Sequence, residues 1–258
     1  MKKFVKYLKY LKKFNVVAVK QSLEDEGASF EEIKLMRQIT KAAGLQHNIK
    51  VGGCEAKTDI YSCEQLDVSG IVAPMVETSY ALRKFMQIIS KKKKQNLYIN
   101  LESIHAINNI DKIIKSKEFN KLKGVVIGRS DLAGSLNLEK SKVDSDKIFK
   151  LVIKLLKRLK KKNVYTKMGG SLTPNSVNFV RKLFQKKLLN SVETRNIEVK
   201  LNNYVLKNFR EIIISIFNFE LEWIKYNKKI SLKKNRIRND SVSRIRELNK
   251  RLKNFNVR

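Results

Sequence analysis

The sequence predicts an α/β fold: a (β/α)8 TIM-type barrel with one strand missing or irregular, followed by C-terminal helices. Three observations predict it. Between residues 15 and 200, seven short runs rich in β-branched residues alternate with longer stretches whose apolar residues recur every three or four positions. The short runs are almost continuously apolar, as strands covered on both faces of a parallel sheet must be. No Gly-x-Gly-x-x-Gly turn follows the first run, which argues against the open doubly wound alternative.

The elements follow in order. Residues 1–14 carry six lysines and no acid, with Phe4, Leu8 and Leu11 at helical spacing, which predicts a short amphipathic helix with a solvated lysine face. Strands are expected at 16–19, 49–53, 70–77, 97–102, 124–128, 164–169 and 191–198. Helices are expected at 31–43, 56–66, 80–92, 105–117, 146–161 and 174–187. Thr78-Ser79 and the Asp144-Ser145-Asp146 cluster offer N-caps, and Thr173-Pro174 opens the sixth helix with proline where its missing N–H is harmless. The eighth strand is expected to be weak, absent or donated by an irregular N-terminus. Beyond residue 200 come a long apolar helix (204–228) and a charged one (240–254). No linker or repeat sets them apart, so 1–258 reads as one domain: an N-terminal basic helix (1–14), the barrel (15–200), and closing and appended helices (201–258).

Composition bounds the function. Lys+Arg 56 against Asp+Glu 24 gives a net charge of +32. Lysine, asparagine and isoleucine rise together, as nucleotide-composition bias produces, whereas sequence-reading grooves favour arginine forks. The basic ends, 1–14 and 225–258, are expected to hold polyanions weakly and without sequence readout, since they carry few aromatics and no nucleic-acid motif. Two cysteines exclude a disulfide framework and fit a reducing, cytoplasmic setting. The longest strongly apolar run, 212–219, falls far short of the roughly 20 residues that cross a bilayer.

Polar residues at strand C-termini matter most, because a (β/α) barrel builds its active site there. The fourth strand ends in Asn100-Leu101-Glu102-Ser103 and the fifth in Gly128-Arg129-Ser130-Asp131. Glu102 and Asp131, on successive strands at one end, can hold a hard divalent ion such as Mg2+ or Mn2+ with water and a chelating substrate. An arginine-paired structural cluster, using Arg129 or Arg195, is the alternative, and the pattern alone leaves both open. His105 is expected on a helix surface, His47 in a loop, and the Lys91-to-Lys94 run at a solvated helix end.

Ile71-Val72-Ala73-Pro74-Met75-Val76-Glu77, Asn100-Leu101-Glu102-Ser103 and Val126-Ile127-Gly128-Arg129-Ser130-Asp131-Leu132-Ala133-Gly134-Ser135-Leu136 resemble the HpcH/HpaI aldolase and citrate lyase family. That family belongs to the phosphoenolpyruvate/pyruvate-binding barrels, and the resemblance spans about residues 15–230. Lys50 to Ala56, Glu193-Thr194-Arg195 and Phe219 to Trp223 echo a branch often found near surface-polysaccharide genes.

The resemblance implies that Glu102 and Asp131 are the metal ligands and that backbone N–H groups of Ser130 and Asp131 face the carboxylate of a pyruvate-like substrate. Lys50 stands where the aldolases carry a substrate-binding Arg; it keeps the charge and loses the fork. Arg129 stands where they commonly carry Pro and could supply the lost charge. The aldolases' base, a His after an early strand, is missing here, and Glu26 is the nearest substitute. The implied activity is a metal-dependent carbon–carbon lyase, acting on a 2-keto acid through a stabilised enolate. The rival is a non-catalytic barrel retained to bind a partner protein or polyanion. Phe209, Ile213, Ile216, Phe217, Leu221 and Trp223 give the long helix more apolar surface than one barrel flank covers, which, with the family's habits, predicts a homo-oligomer.

Overall fold

The structure is a computed structural model describing residues 1–24, 26–90, 95–233 and 239–256, without the side chains of 229–233, 239–241 and 256. Asp25 and the lysine run at 91–94 lie outside the described residues. Strands β1 (Val16–Ser22), β2 (Gln46–Lys50), β3 (Gly70–Ala73), β4 (Asn96–Leu101), β5 (Gly124–Gly128), β6 (Tyr165–Gly169), β7 (Ser191–Glu193) and β8 (Ile197–Lys200) close into a barrel in sequence order. The pairs from β1–β2 through β6–β7 are parallel, whereas β8 runs antiparallel to both β7 and β1.

The eighth strand therefore comes from the run expected to be a single seventh strand. Residues 191–198 fold back on themselves: Val192 pairs with Val199, and Glu193 with Glu198. The N-terminus contributes no strand; it is helix α1 (Lys2–Lys12), with Phe4, Leu8 and Leu11 buried as the spacing predicts.

Helices α2 (Phe30–Ala43), α3 (Lys57–Gln65), α4 (Ser79–Ile88), α5 (Ile104–Asn108), α6 (Ile110–Lys115), α7 (Arg129–Gly134), α8 (Asp146–Lys160) and α9 (Val177–Gln185) connect the strands, and α10 (Asn203–Lys207), α11 (Phe209–Lys233) and α12 (Asn239–Asn256) follow β8. Local chemistry sets several ends. Ser29 and Glu32 form a capping box at α2, which stops at Gly44 with φ 68°. Thr78 accepts from the Ala81 N–H at 3.0 Å. The expected helix 105–117 breaks at Asn109, whose side chain donates instead to the Glu77 carbonyl at 3.1 Å. Ser145 starts α8 without a side-chain cap, and the adjacent Asp144 bonds Arg129 and Ser176 and caps nothing.

Strand alternation splits the core in two. Ile49, Ile71, Ile99, Val125, Ile127 and Met168 join the helices in the main apolar layer. The barrel interior holds a small apolar cluster, Val72, Tyr98 and Val126, beside buried charge. Lys167 Nζ lies 2.5 Å from Glu198 Oε2 and 3.7 Å from the Tyr98 ring centre, and Ser191 Oγ donates to Glu198 Oε1 at 2.9 Å. His47, expected in a loop, is a fully buried β2 residue whose Nε2 bonds Gln21 Oε1 at 3.0 Å.

Phe209, Ile213, Ile216, Phe217, Leu221 and Trp223 of α11 are all buried within one chain. Phe4 packs edge-on to Phe219 and Trp223, at 6.1 and 5.1 Å between ring centres, and Leu248 and Leu252 of α12 are buried too. Helices α1 and α12 supply part of that cover, Phe4 against Trp223 and Arg251 over the Phe217 ring. Among the described residues no helix is long and apolar enough to cross a membrane.

Candidate active site

At the C-terminal mouth of the strands lies a cavity of ≈220 Å³, lined among others by Lys20, Glu26, Lys50, Asn100, Glu102, Ser130, Asp131, Glu193 and Arg195. Glu102 follows the last residue of β4 and is almost completely buried. Its Oε1 accepts from the Met75 N–H at 3.1 Å and its Oε2 from Asn100 Nδ2 at 2.9 Å. Met75 holds φ 50°, a left-handed conformation unfavourable for a residue with a side chain, and in it keeps its N–H on Glu102. Burial, then the nearby Asp131 carboxylate, push the Glu102 pKa up to about 7, against the pull of Lys50 and the two donors.

Asp131 sits in the first turn of α7, directly after β5. That turn is approached closely by the loop after β6: a Cβ at Gly170 would lie 2.4 Å from the Ser130 nitrogen and 2.5 Å from that of Arg129, and Gly170 has φ 83°. Only glycine meets both demands. Ser130 Oγ and Ser171 Oγ join the two segments at 2.9 Å.

Glu102 and Asp131 supply oxygen donors to one cavity, and Asn100 Oδ1 beside them is buried without a hydrogen-bond partner. Two carboxylates and an unsatisfied amide oxygen suit a hard divalent cation that keeps water ligands. They do not enclose one: among the described residues no group of three or more His, Cys, Asp or Glu side chains converges on a metal position.

The opposite charges are placed by β1 and β2. Lys20, an inward residue of β1, forms a close ion pair with Glu193 of β7. Burial works to lower its pKa, but the charge and hydrogen bond of Glu193, with Glu26 and Glu102, outweigh that and hold it above the ordinary lysine value. Lys50 ends β2, its charge felt by Glu102. Glu26 accepts from Asn196 Nδ2 at 3.0 and 3.1 Å and lies 3.3 Å from Arg195 Nε. Burial raises its pKa in spite of Arg195, Lys20 and Asn196.

Glu26, Lys50, Glu102, Ser130 and Asp131 therefore meet around one cavity, and Arg129 does not join them. Its fully buried guanidinium donates to the carbonyls of Gly169 (3.1 Å) and Gly170 (3.0 Å), pairs with Asp144 and lies over the Phe179 ring. It is a strut between α7 and the β6 loop, so it does not replace the charge of a substrate-binding arginine. His105 is exposed on α5. Burial raises the Cys54 thiol to about 11 and the Cys63 thiol to about 12, leaving both poor nucleophiles.

Two contributions escaped the sequence reading. Lys20 and Glu193 were visible only as polar residues near strand ends; the signal was a lysine at the inward phase of an apolar strand. The second is α12, whose Arg244, Glu247 and Arg251 line the same cavity.

Solved structures with similar folds include an HpcH/HpaI aldolase from Desulfitobacterium hafniense (TM-score 0.60, 12% identity, 74% of this chain and 81% of that one). An HpcH/HpaI aldolase/citrate lyase family protein from Burkholderia cenocepacia aligns with TM-score 0.61 and 11% identity, over 74% of this chain and 82% of that one. The citrate synthase SbnG aligns with TM-score 0.60 and 13% identity, over 74% and 81% of the two chains. Among curated proteins no sequence matches. The sequence profile of HpcH/HpaI aldolase/citrate lyase matches residues 35–167, just over half of the chain and the part containing Lys50, Glu102 and Asp131. The chain belongs to the HpcH/HpaI aldolase/citrate lyase family.

Proposed function

We propose that this protein is a divalent-cation-dependent carbon–carbon lyase of the aldolase type, acting on a 2-keto acid such as pyruvate or oxaloacetate. The observation that carries the reading is the pairing of the buried Glu102 with the exposed Asp131 at a cavity mouth that also holds Lys20 and Lys50. Asp131 beside the buried Glu102 disfavours a second negative charge there, so the arrangement favours a cation between the carboxylates or a proton on Glu102. When bound, Mg2+ or Mn2+ supplies positive charge that stabilises the enolate left when the bond beside the keto group breaks.

The chain's own groups have separate tasks. Glu102 and Asp131 hold the cation, and the first N–H groups of α7, at Ser130 and Asp131, are placed for a substrate carboxylate. Lys50 and the Glu193-anchored Lys20 keep fixed positive charge around the developing enolate, in a site that needs no reorganisation to use it. Glu26, with its raised pKa, takes the proton from the hydroxyl of the bond being cleaved, the task for which a histidine is lacking.

Calorimetric titration with Mn2+ and then pyruvate tests the reading, followed by a panel of 4-hydroxy-2-keto acids with and without chelator. Metal-dependent pyruvate binding and cleavage, lost in Glu102→Gln with Asp131→Asn, are expected. No cation binding by the wild type, or binding unchanged in the double variant, would return the barrel to a non-catalytic, partner-binding role.

A further inference from the structure

Glu26 lies in the loop between β1 and α2, outside any strand or helix, yet a base has to meet its proton within hydrogen-bond reach. Part of what fixes it comes from the turn between β7 and β8. Asn196 of that turn is buried and tied down on three sides. Its carbonyl accepts from the Lys20 N–H at 2.7 Å, its Nδ2 donates back to the Lys20 carbonyl at 3.0 Å, and its own N–H donates to Glu220 Oε1 at 2.9 Å. Glu220, fully buried on α11, also accepts from Thr194 Oγ1 at 2.6 Å and so grips the turn at two points.

An asparagine amide nitrogen carries two hydrogens. One goes to the Lys20 carbonyl, and the other lies between the two Glu26 oxygens, which are 3.0 and 3.1 Å from Nδ2. Flipping the amide would turn its oxygen towards the Lys20 carbonyl and the Glu26 carboxylate, which are acceptors. Glu26 therefore meets a donor that cannot become an acceptor. A donor aimed at both oxygens favours the carboxylate over the acid, whose own proton would occupy one of them. The charges around Glu26 pull both ways. Arg195 of the same turn and Lys20 of β1 favour its anion, Glu220 of α11 opposes it, and Arg244 of α12 feels its charge.

We propose that Asn196 is a positioning residue, which holds the Glu26 carboxylate ionised and oriented so that it can take a proton from the substrate. The proposal rests on the reading of Glu26 as the base. It gives the β7–β8 hairpin a part in the chemistry, although Asn196 does not itself line the cavity.

Carbon-13 NMR titration of the full chain, labelled at its glutamate carboxyls, tests it, with the Glu26 signal identified by its loss in Glu26→Gln. Asn196→Leu keeps the bulk and removes the donor, while the four neighbouring charges stay in place. It should raise the Glu26 pKa by about one pH unit or more, the shift that loss of a hydrogen bond to a charged group produces. The acid limb of the kcat/KM profile, for whichever 4-hydroxy-2-keto acid is cleaved, should move up by the same amount. In the wild type, the Asn196 side-chain amide protons should shift with pH in step with Glu26, and Glu26→Gln should abolish that response. This second measurement decides the contact even where Asn196→Leu fails to fold. A Glu26 titration unchanged by Asn196→Leu, or amide protons that ignore it, overturns the proposal. So does an acid limb that stays in place while the carboxyl shifts. If the wild type cleaves no keto acid, the keto-acid reading fails by itself, and the two titrations still decide whether Asn196 holds Glu26 ionised.

Discussion

A Cβ at Gly128 would sit 2.3 Å from Glu102 Oε2: the last residue of β5 surrenders its side chain so that the carboxylate following β4 can lie across it. Gly128→Ala must therefore displace Glu102 or bend β5. Denaturant unfolding should show a loss of about 1–3 kcal/mol, the usual cost of overpacking. Calorimetry should show Mn2+ affinity down by about tenfold or more, as when a charged ligand leaves its position. Unaltered metal affinity would separate Gly128 from the site.

Glu102 predicts how pH acts on the metal-free protein. Its pKa is raised to about 7 by burial and by Asp131. A carboxyl raised in the fold is protonated more readily there than in the unfolded chain. Its stability contribution is complete below the unfolded value of about 4.5 and is lost as pH rises towards 7. A cation has to displace that proton, so Mn2+ affinity should fall by up to about tenfold per pH unit below 7. Thermal shifts on adding Mn2+ should accordingly be larger at pH 8 than at pH 6. Glu102→Gln should remove the difference.

Lys167 and Glu198 should behave as a buried pair. Their side chains are 2% and 4% exposed, with Nζ 2.5 Å from Oε2. Lys167→Met alone strands the Glu198 charge inside the barrel and should cost about 3–5 kcal/mol in urea unfolding. Adding Glu198→Gln should recover more than half of that loss, because no bare charge then remains. Additive losses would show that the two side chains do not depend on each other.

His47 predicts acid sensitivity. Burial, then Arg37, hold its pKa down to about 3, against an unfolded value of 6.5. A depressed histidine gives stability that is present above 6.5 and is lost as pH falls from there towards 3. His47→Gln should flatten the decline in melting temperature between pH 6.5 and 4, monitored by circular dichroism. An unchanged slope would contradict a neutral, buried imidazole.

The sequence made the alternation of strands and helices legible, because apolar runs and three-to-four spacing are local signals. Glu102 and Asp131 were legible too, since a barrel's strand ends nominate them. The β7–β8 turn was not: Thr194-Arg195-Asn196 contains neither glycine nor proline, so a hairpin was disguised as one long strand. Arg129 was read as facing the mouth, because nothing local tells which way the first residue of a short helix directly after a strand will turn. Asp144 looked like a helix cap and instead pairs with that arginine, 15 positions earlier in the chain. The place of α12 depends on contacts with α11 and Glu220, which no window of the sequence contains.

The reversal of β8 has a topological consequence. In a barrel of uniform strand direction, the final strand delivers the chain to the mouth and its helix carries it back to the far rim. Here the β7–β8 hairpin omits one traverse and shifts the parity of every later segment. The chain leaves β8 at the far rim, and α11 climbs back towards the mouth, where Phe217 meets the cavity. Whatever follows α11 is thereby handed to the reactive face. The helix that follows, α12, reaches the strands' C-terminal end and adds Arg244, Glu247 and Arg251 to the cavity wall without itself being joined to any strand.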